Sequence, residues 1–213
     1  MLIAVIDYGS GNLKSAAKAL EVAASNINKS FKIVVTSDPK IIKQSDKIVL
    51  PGQGSFRDCY LGIKRISGLD ETLNEFVLEK KKPILGICVG MQLFAKTGYE
   101  SQETKGFGWI DAEVRKINNM NKKLKLPHMG WNEIELKKNC FIFSNIKNKS
   151  HVYFIHSYEF MVKQKDCVVA TTNYGNSIIV SVEKENIIGT QFHPEKSQKN
   201  GLIILENFLK WKL

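Results

Sequence analysis

Pro83-Ile84-Leu85-Gly86-Ile87-Cys88-Val89-Gly90-Met91-Gln92 decides the fold. An apolar run ends in Gly-x-Cys-x-Gly, and a helical pattern from Val89 to about Lys96 follows it. This is the arrangement of a nucleophile elbow, with cysteine in the place of serine. The turn from strand to helix is so tight that its middle residue must take a strained backbone conformation. Flanking glycines leave room for that residue and for a substrate. The cysteine then projects from a sheet edge at a helix N-terminus, where free N–H groups and the helix dipole stabilise negative charge on the sulfur. The N–H of Val89 would face an oxyanion formed on an attacked carbonyl. Taken alone, the motif fits a buried structural cysteine in a Gly-flanked turn equally well.

Upstream, apolar strands alternate with amphipathic stretches. Leu2–Ile6 reads as a strand. Asn12 then caps a helix through Ala24, with Leu13, Ala16, Ala17, Leu20 and Ala24 on one face. Phe31–Val35 and Lys47–Leu50 are further strands, the latter running into Pro51-Gly52-Gln53-Gly54. Leu69–Lys80 has a helical pattern, and Pro83–Ile87 is the fourth strand. Such alternation predicts an α/β fold: an open, mostly parallel sheet with helices on both faces. From Phe107 to about Val182 the apolar runs shorten and become rich in β-branched and aromatic residues, which predicts a smaller antiparallel sheet. Ile187–Phe192 is one more strand. Ser197 is placed to cap a last helix with Leu202, Leu205, Phe208 and Leu209 on its apolar face. No repeat or linker divides the chain, so residues 1–213 read as a single domain.

Downstream, His193-Pro194-Glu195 follows the Ile187–Phe192 strand at its C-terminal end. In an extended segment, residues i and i+2 point the same way, so His193 and Glu195 are expected side by side. A carboxylate on one imidazole nitrogen fixes the tautomer and makes the other nitrogen more basic, the logic of a catalytic triad. An isolated His-Pro-Glu reads as a surface turn. After a matching strand, and with an elbow elsewhere in the same sheet, it reads as base and orienter. Open parallel sheets build their sites at the C-terminal ends of strands, where both Cys88 and His193 fall.

Composition narrows the function further. The net charge of +10 invites a nucleic-acid reading, but the excess is lysine. The only arginines are Arg57, Arg65 and Arg115. The lysines are scattered, with short clusters at Lys80-Lys81-Lys82 and Lys122-Lys123, which describes a solvated surface. Cys59, Cys88, Cys140 and Cys167 form no C-x-x-C pair, which argues against zinc or dithiol chemistry. No apolar run reaches the ~18–20 residues of a membrane span. The N-terminus reads as a strand and not as a signal peptide, so a cytoplasmic protein is expected.

The residues also resemble a known family. Gly86-Ile87-Cys88-Val89-Gly90-Met91-Gln92 and His193-Pro194-Glu195 are similar to the signature of class I (triad) glutamine amidotransferases. Pro51-Gly52-Gln53-Gly54 sits where that family has its glycine-rich oxyanion strand. The resemblance covers essentially the whole chain and implies a flavodoxin-like fold. Four further segments resemble the glutaminase subunits of imidazole glycerol phosphate synthases: Asp7-Tyr8-Gly9-Ser10-Gly11-Asn12, Pro127-His128-Met129-Gly130-Trp131-Asn132, Tyr153-Phe154-Ile155-His156-Ser157-Tyr158 and His193-Pro194-Glu195-Lys196-Ser197.

The resemblance implies that Cys88, His193 and Glu195 are catalytic and that N–H groups of Val89 and of Gly52, Gln53 and Gly54 hold the oxyanion. It implies further that Gln92 and the Ser157-Tyr158 backbone bind the amino-acid end of glutamine. Asn12, Trp131, Tyr153 and Lys196 would face a (β/α)8-barrel cyclase subunit and the ammonia exit in a heterodimer. No cofactor or metal is implied. Gln53 departs from the small aliphatic residue usual at its position. Outside the site, His151 reads as structural or exposed and His156 as a packed residue behind the glutamine pocket; His128 joins the interface by resemblance alone. A paralogous subunit supplying ammonia for amidation of bacterial surface sugars would carry the same chemistry.

Overall fold

The computed structural model describes residues 1–27, 30–118 and 124–212, so the Lys122-Lys123 cluster lies outside the described residues. The strands are β1 (Leu2–Ile6), β2 (Lys32–Thr36), β3 (Lys47–Gly52), β4 (Ile84–Cys88), β5 (Thr97–Tyr99), β6 (Glu103–Lys105), β7 (Ala112–Lys116), β8 (His128–Glu133), β9 (Glu135–Leu136), β10 (His151–His156), β11 (Tyr158–Val162), β12 (Val168–Tyr174), β13 (Asn176–Lys184) and β14 (Ile187–Thr190). The helices are α1 (Leu13–Asn26), α2 (Pro39–Gln44), α3 (Phe56–Arg65), α4 (Leu69–Asn74), α5 (Val89–Gln92) and α6 (Gln198–Lys210).

The large sheet has the order β2-β1-β3-β4-β14-β13-β12-β9. From β2 through β14 every pairing is parallel, and β13, β12 and β9 extend the sheet antiparallel. The central strands β3, β4 and β14 are buried along their whole length, as strands covered on both faces must be. The chain steps one way from β1 to β2 and the other way from β2 through β3 to β4. Right-handed crossovers therefore place α1 on one face and α2 to α4 on the other. The expected α/β architecture is the one observed. The smaller antiparallel part is two sheets: a hairpin-like pair β8/β10 and a four-stranded sheet β11-β7-β5-β6 that contains one parallel pairing, β5 with β7.

Local differences have physical causes. The helix expected from Val89 to Lys96 stops at Gln92. The carbonyls of Leu93, Phe94 and Ala95 are taken by the N–H groups of Phe107, Ile110 and Gly108, so a loop from elsewhere replaces the next helical turn. The Leu69–Lys80 helix changes at Glu75 into a π-helical turn through Glu79. Two helices were not foreseen, yet each has a start signal. Asp38 accepts from Lys40 N–H ahead of Pro39 in α2, and Ser55 accepts from Asp58 N–H in α3. Ser197 precedes α6 but does not cap it with its side chain; that hydroxyl is used at the site.

Candidate active site

The C-terminal ends of β3, β4 and β14 are neighbours, and this brings three separate sequence motifs to one place. Cys88 ends β4 with φ 54° and ψ −114°, the strained turn expected of an elbow, and it is buried. The glycines two residues to either side of it have no room for a side chain. A Cβ on Gly90 would lie 1.8 Å from the Leu50 carbonyl oxygen. Among the described residues, two hydrogen bonds reach the thiol. It can donate to the Ile155 carbonyl at 3.9 Å, and Gln191 Nε2 donates to the sulfur at 3.6 Å.

Beside it, the glycine-rich strand end is held through its carbonyls. Tyr8 donates its hydroxyl to Pro51 O at 2.6 Å. Ser10 Oγ donates to Gln53 O, and the Cys59 thiol donates to the same oxygen at 3.4 Å. A peptide's C=O and the following N–H point in opposite directions. Tying Gln53 O therefore fixes the plane in which Gly54 N–H lies.

His193 and Glu195 are both buried, with Nδ1 2.7 Å from Oε1. They meet through a 3-10 turn, Pro194–Lys196, and not through the extended spacing expected from sequence. Lys196 N–H and Ser197 N–H close that turn onto the His193 and Pro194 carbonyls. Ser197 Oγ donates to His193 O at 2.7 Å and accepts from Tyr153 N–H at 3.0 Å, so the histidine backbone is clamped to β10. Burial opposes a charge on His193. The adjoining Cys88 thiol and the Glu195 carboxylate outweigh it and push the imidazole pKa up to about 10. Among the described residues, His193 Nε2 has no hydrogen-bond partner.

A cavity of about 320 Å³ opens over these groups, and Gln53, Gly54, Cys88, Val89, Gln92, Ser157, Tyr158, His193 and Lys196 all line it. Gly52 stands behind it in register with Cys88, and Glu195 stands behind His193. Glu100 also lines the cavity and was not foreseen. It is anchored by Phe56 N–H at the start of α3, 2.6 Å from Oε2. Its local sequence carries no signal; only the tertiary contact with α3 brings it in. Gln191 was missed too, although the two-residue period that pairs His193 with Glu195 passes through it.

Residues expected at an interface are only partly gathered. Lys196 Nζ lies 5.8 Å from the centre of the Tyr153 ring, and Trp131 meets that ring edge-on at 6.0 Å. Asn12 lies outside the cavity lining and caps α1, accepting from Ser15 N–H. His151 is exposed. His128 and His156 are buried against each other, and burial lowers each to about 4.

Fold and site together define an α/β protein of the nucleophile-elbow kind, with cysteine, histidine and glutamate converging at the ends of adjacent strands. The chain belongs to the class-I glutamine amidotransferase family, whose model matches residues 4–211, and it is an enzyme of that kind. It is 58% identical to the imidazole glycerol phosphate synthase subunit HisH of Pelagibacter ubique (strain HTCC1062), over 98% of this chain and 99% of that protein. It is 46% identical to the HisH subunit of Brucella suis biovar 1 (strain 1330), over the full length of both. Among solved structures, a glutamine amidotransferase shares the fold with a TM-score of 0.70 at 17% identity, covering 97% of each chain. Another, from Thermotoga maritima, gives 0.64 at 20% identity, covering 94% of this chain and 78% of that one.

Proposed function

We propose that this chain is the glutaminase subunit of an imidazole glycerol phosphate synthase, and that residues 1–213 form one amidotransferase domain working in the cytoplasm. One observation carries the chemistry. Cys88 at positive φ shares a cavity with His193, whose Nδ1 is bound to Glu195 and whose Nε2 has no protein partner among the described residues.

His193 takes the thiol proton as the Cys88 sulfur attacks the side-chain amide carbon of glutamine. N–H groups of Val89 and of the Gly52–Gly54 strand end receive the oxyanion. The proton on His193 passes to the leaving ammonia, and the C–N bond breaks to give a glutamyl thioester. Water, deprotonated by His193, then releases glutamate and regenerates the thiol. Glu195 keeps Nδ1–H in place and stabilises the imidazolium. At the other end of the substrate, Gln92 and the Ser157-Tyr158 backbone hold the amino acid. Among the described residues lining the cavity, Glu100 is the one carboxylate, and it supplies a counter-charge for the α-ammonium.

Free ammonia is largely protonated at neutral pH and is then no nucleophile, so it must pass directly to a partner. The relatives' name supports a synthase partner, and we place a (β/α)8-barrel cyclase in that role, as a heterodimer. The outer face of the β8/β10 sheet suits such a partner. Met129 and Trp131 are exposed there, next to Ile155 and Tyr153 of β10, and Ile155 and Lys196 continue into the cavity. Asn12 joins this interface by resemblance alone. The test is glutaminase turnover by the complex with Cys88→Ala. Loss of turnover is expected, and undiminished turnover would overturn the assignment.

A further inference from the structure

An unbroken polar chain runs from the surface of β8 to the sulfur of Cys88. Asn132 Oδ1 accepts from Glu133 N–H at 2.8 Å, which turns its Nδ2 toward Asn173 O at 3.0 Å and His128 Nε2 at 3.2 Å. His128 Nε2 is therefore an acceptor, and its proton sits on Nδ1. That N–H donates to His156 Nε2 at 3.0 Å, so His156 carries its own proton on Nδ1 and donates to Tyr158 O at 2.8 Å. Gln92 Nε2 donates to the same carbonyl at 3.4 Å and to Gln191 Oε1 at 2.8 Å. Gln191 can then present only its Nε2 to Cys88 Sγ. Every link has one consistent donor and one acceptor.

Gln191 is fully buried, and its backbone N–H is fixed to Val180 O at 2.9 Å. Its amide thus has little freedom. As a thiol, Cys88 donates to Ile155 O; as a thiolate it has no proton to give and instead accepts from Gln191. A hydrogen bond to an ionised acceptor is about twice as strong as one between neutral groups. We infer that Gln191 is a positioning residue of the glutaminase reaction. Its amide holds the attacking sulfur beside Gln92, and Gln92, which must turn its Nε2 toward the Tyr158 carbonyl that His156 also binds, sets the orientation of that amide. The inference rests on the assignment of Cys88 as nucleophile.

The experiment uses the full chain in complex with its cyclase partner. Glutaminase kcat and KM are measured together with the rate at which iodoacetamide alkylates Cys88 in the absence of glutamine. Gln191→Met removes both the donor to sulfur and the acceptor for Gln92. Alkylation and kcat are expected to fall about tenfold or more, with KM raised several-fold. Gln191→Glu keeps the acceptor but loses the donor when ionised. Its alkylation deficit relative to wild type should shrink as pH is lowered and the carboxyl regains a proton. Melting temperatures are followed in parallel, and Gln191→Glu carries the test if Gln191→Met does not fold. Wild-type alkylation rates in a folded variant, or a Gln191→Glu deficit that does not change with pH, would overturn the inference. If alkylation of wild-type Cys88 leaves turnover intact, it is the nucleophile assignment that fails.

Discussion

Gly52 lies directly across from Cys88, the two residues in register where β3 and β4 end side by side. A Cβ on Gly52 would stand 2.4 Å from Gly90 N and 2.8 Å from Val89 Cβ. These are backbone and Cβ atoms of the elbow and not the far end of a flexible side chain, so neither yields cheaply. Gly52→Ala must therefore push the glycine-rich strand end away from the elbow. Both sources of oxyanion N–H groups shift together. The expected loss in kcat is about 100-fold or more, the order seen when one oxyanion donor is removed. Retention of more than a tenth of wild-type kcat in the complex would show that the two segments do not act as a unit.

Replacing Glu195 by Gln keeps an oxygen available to His193 Nδ1 but removes the charge. The folded pKa of His193 lies above its ordinary value, near 10. Its contribution to stability is therefore present below the ordinary value and fades as pH rises toward about 10. Without the carboxylate the imidazolium is held less tightly, so the alkaline limb of the kcat/KM profile should move to lower pH. A fall in kcat of about 100-fold or more is expected, since related triads lose more than that on the equivalent change. A pH–rate profile settles the matter, and an unmoved alkaline limb would assign Glu195 to packing alone.

Cys88, His193 and Glu195 were legible because each lies within a few residues of a strand end, and strand ends of a parallel sheet meet by topology. Their contact was not legible in detail. The expected extended spacing of His193 and Glu195 gave way to a 3-10 turn, fixed by Ser197, a residue first read as a helix cap. The early end of α5 was hidden for a similar reason: its carbonyls are claimed by a loop at Phe107–Ile110 that local pattern cannot see. Glu100 and Gln191 enter the site through α3 and through Gln92, partners distant in sequence. Local periodicity finds elements, and tertiary hydrogen bonds complete the site.

Glu100→Gln tests the substrate end of the cavity. The amide can still accept from Phe56 N–H, so the start of α3 should keep its anchor. The counter-charge for an α-ammonium is lost, however. Binding energy used equally in ground and transition states appears in KM. KM for glutamine should rise about tenfold or more while kcat changes by less than about threefold. A kcat effect without a KM effect would place Glu100 outside the substrate's reach.

Acid should loosen the protein through His128 and His156. Both are buried and neutral, with burial holding each at about 4, below the ordinary histidine value. Lowered histidine values mean that the unfolded chain binds protons first as pH falls. Stability is thus complete above the ordinary value and declines as pH drops from about 6.5 toward 4. His128→Gln keeps one donor and one acceptor for Asn132 and His156 but cannot titrate. The ring contacts of His128 with Phe154 and Tyr174 are lost, so the variant should start slightly less stable at neutral pH. Its melting temperature should nonetheless fall less steeply than that of the wild type between pH 6.5 and pH 4. Thermal melts across that range decide it: parallel slopes for the two proteins would mean that acid acts elsewhere, and a shallower slope for the variant locates the acid-sensitive group behind the glutamine pocket.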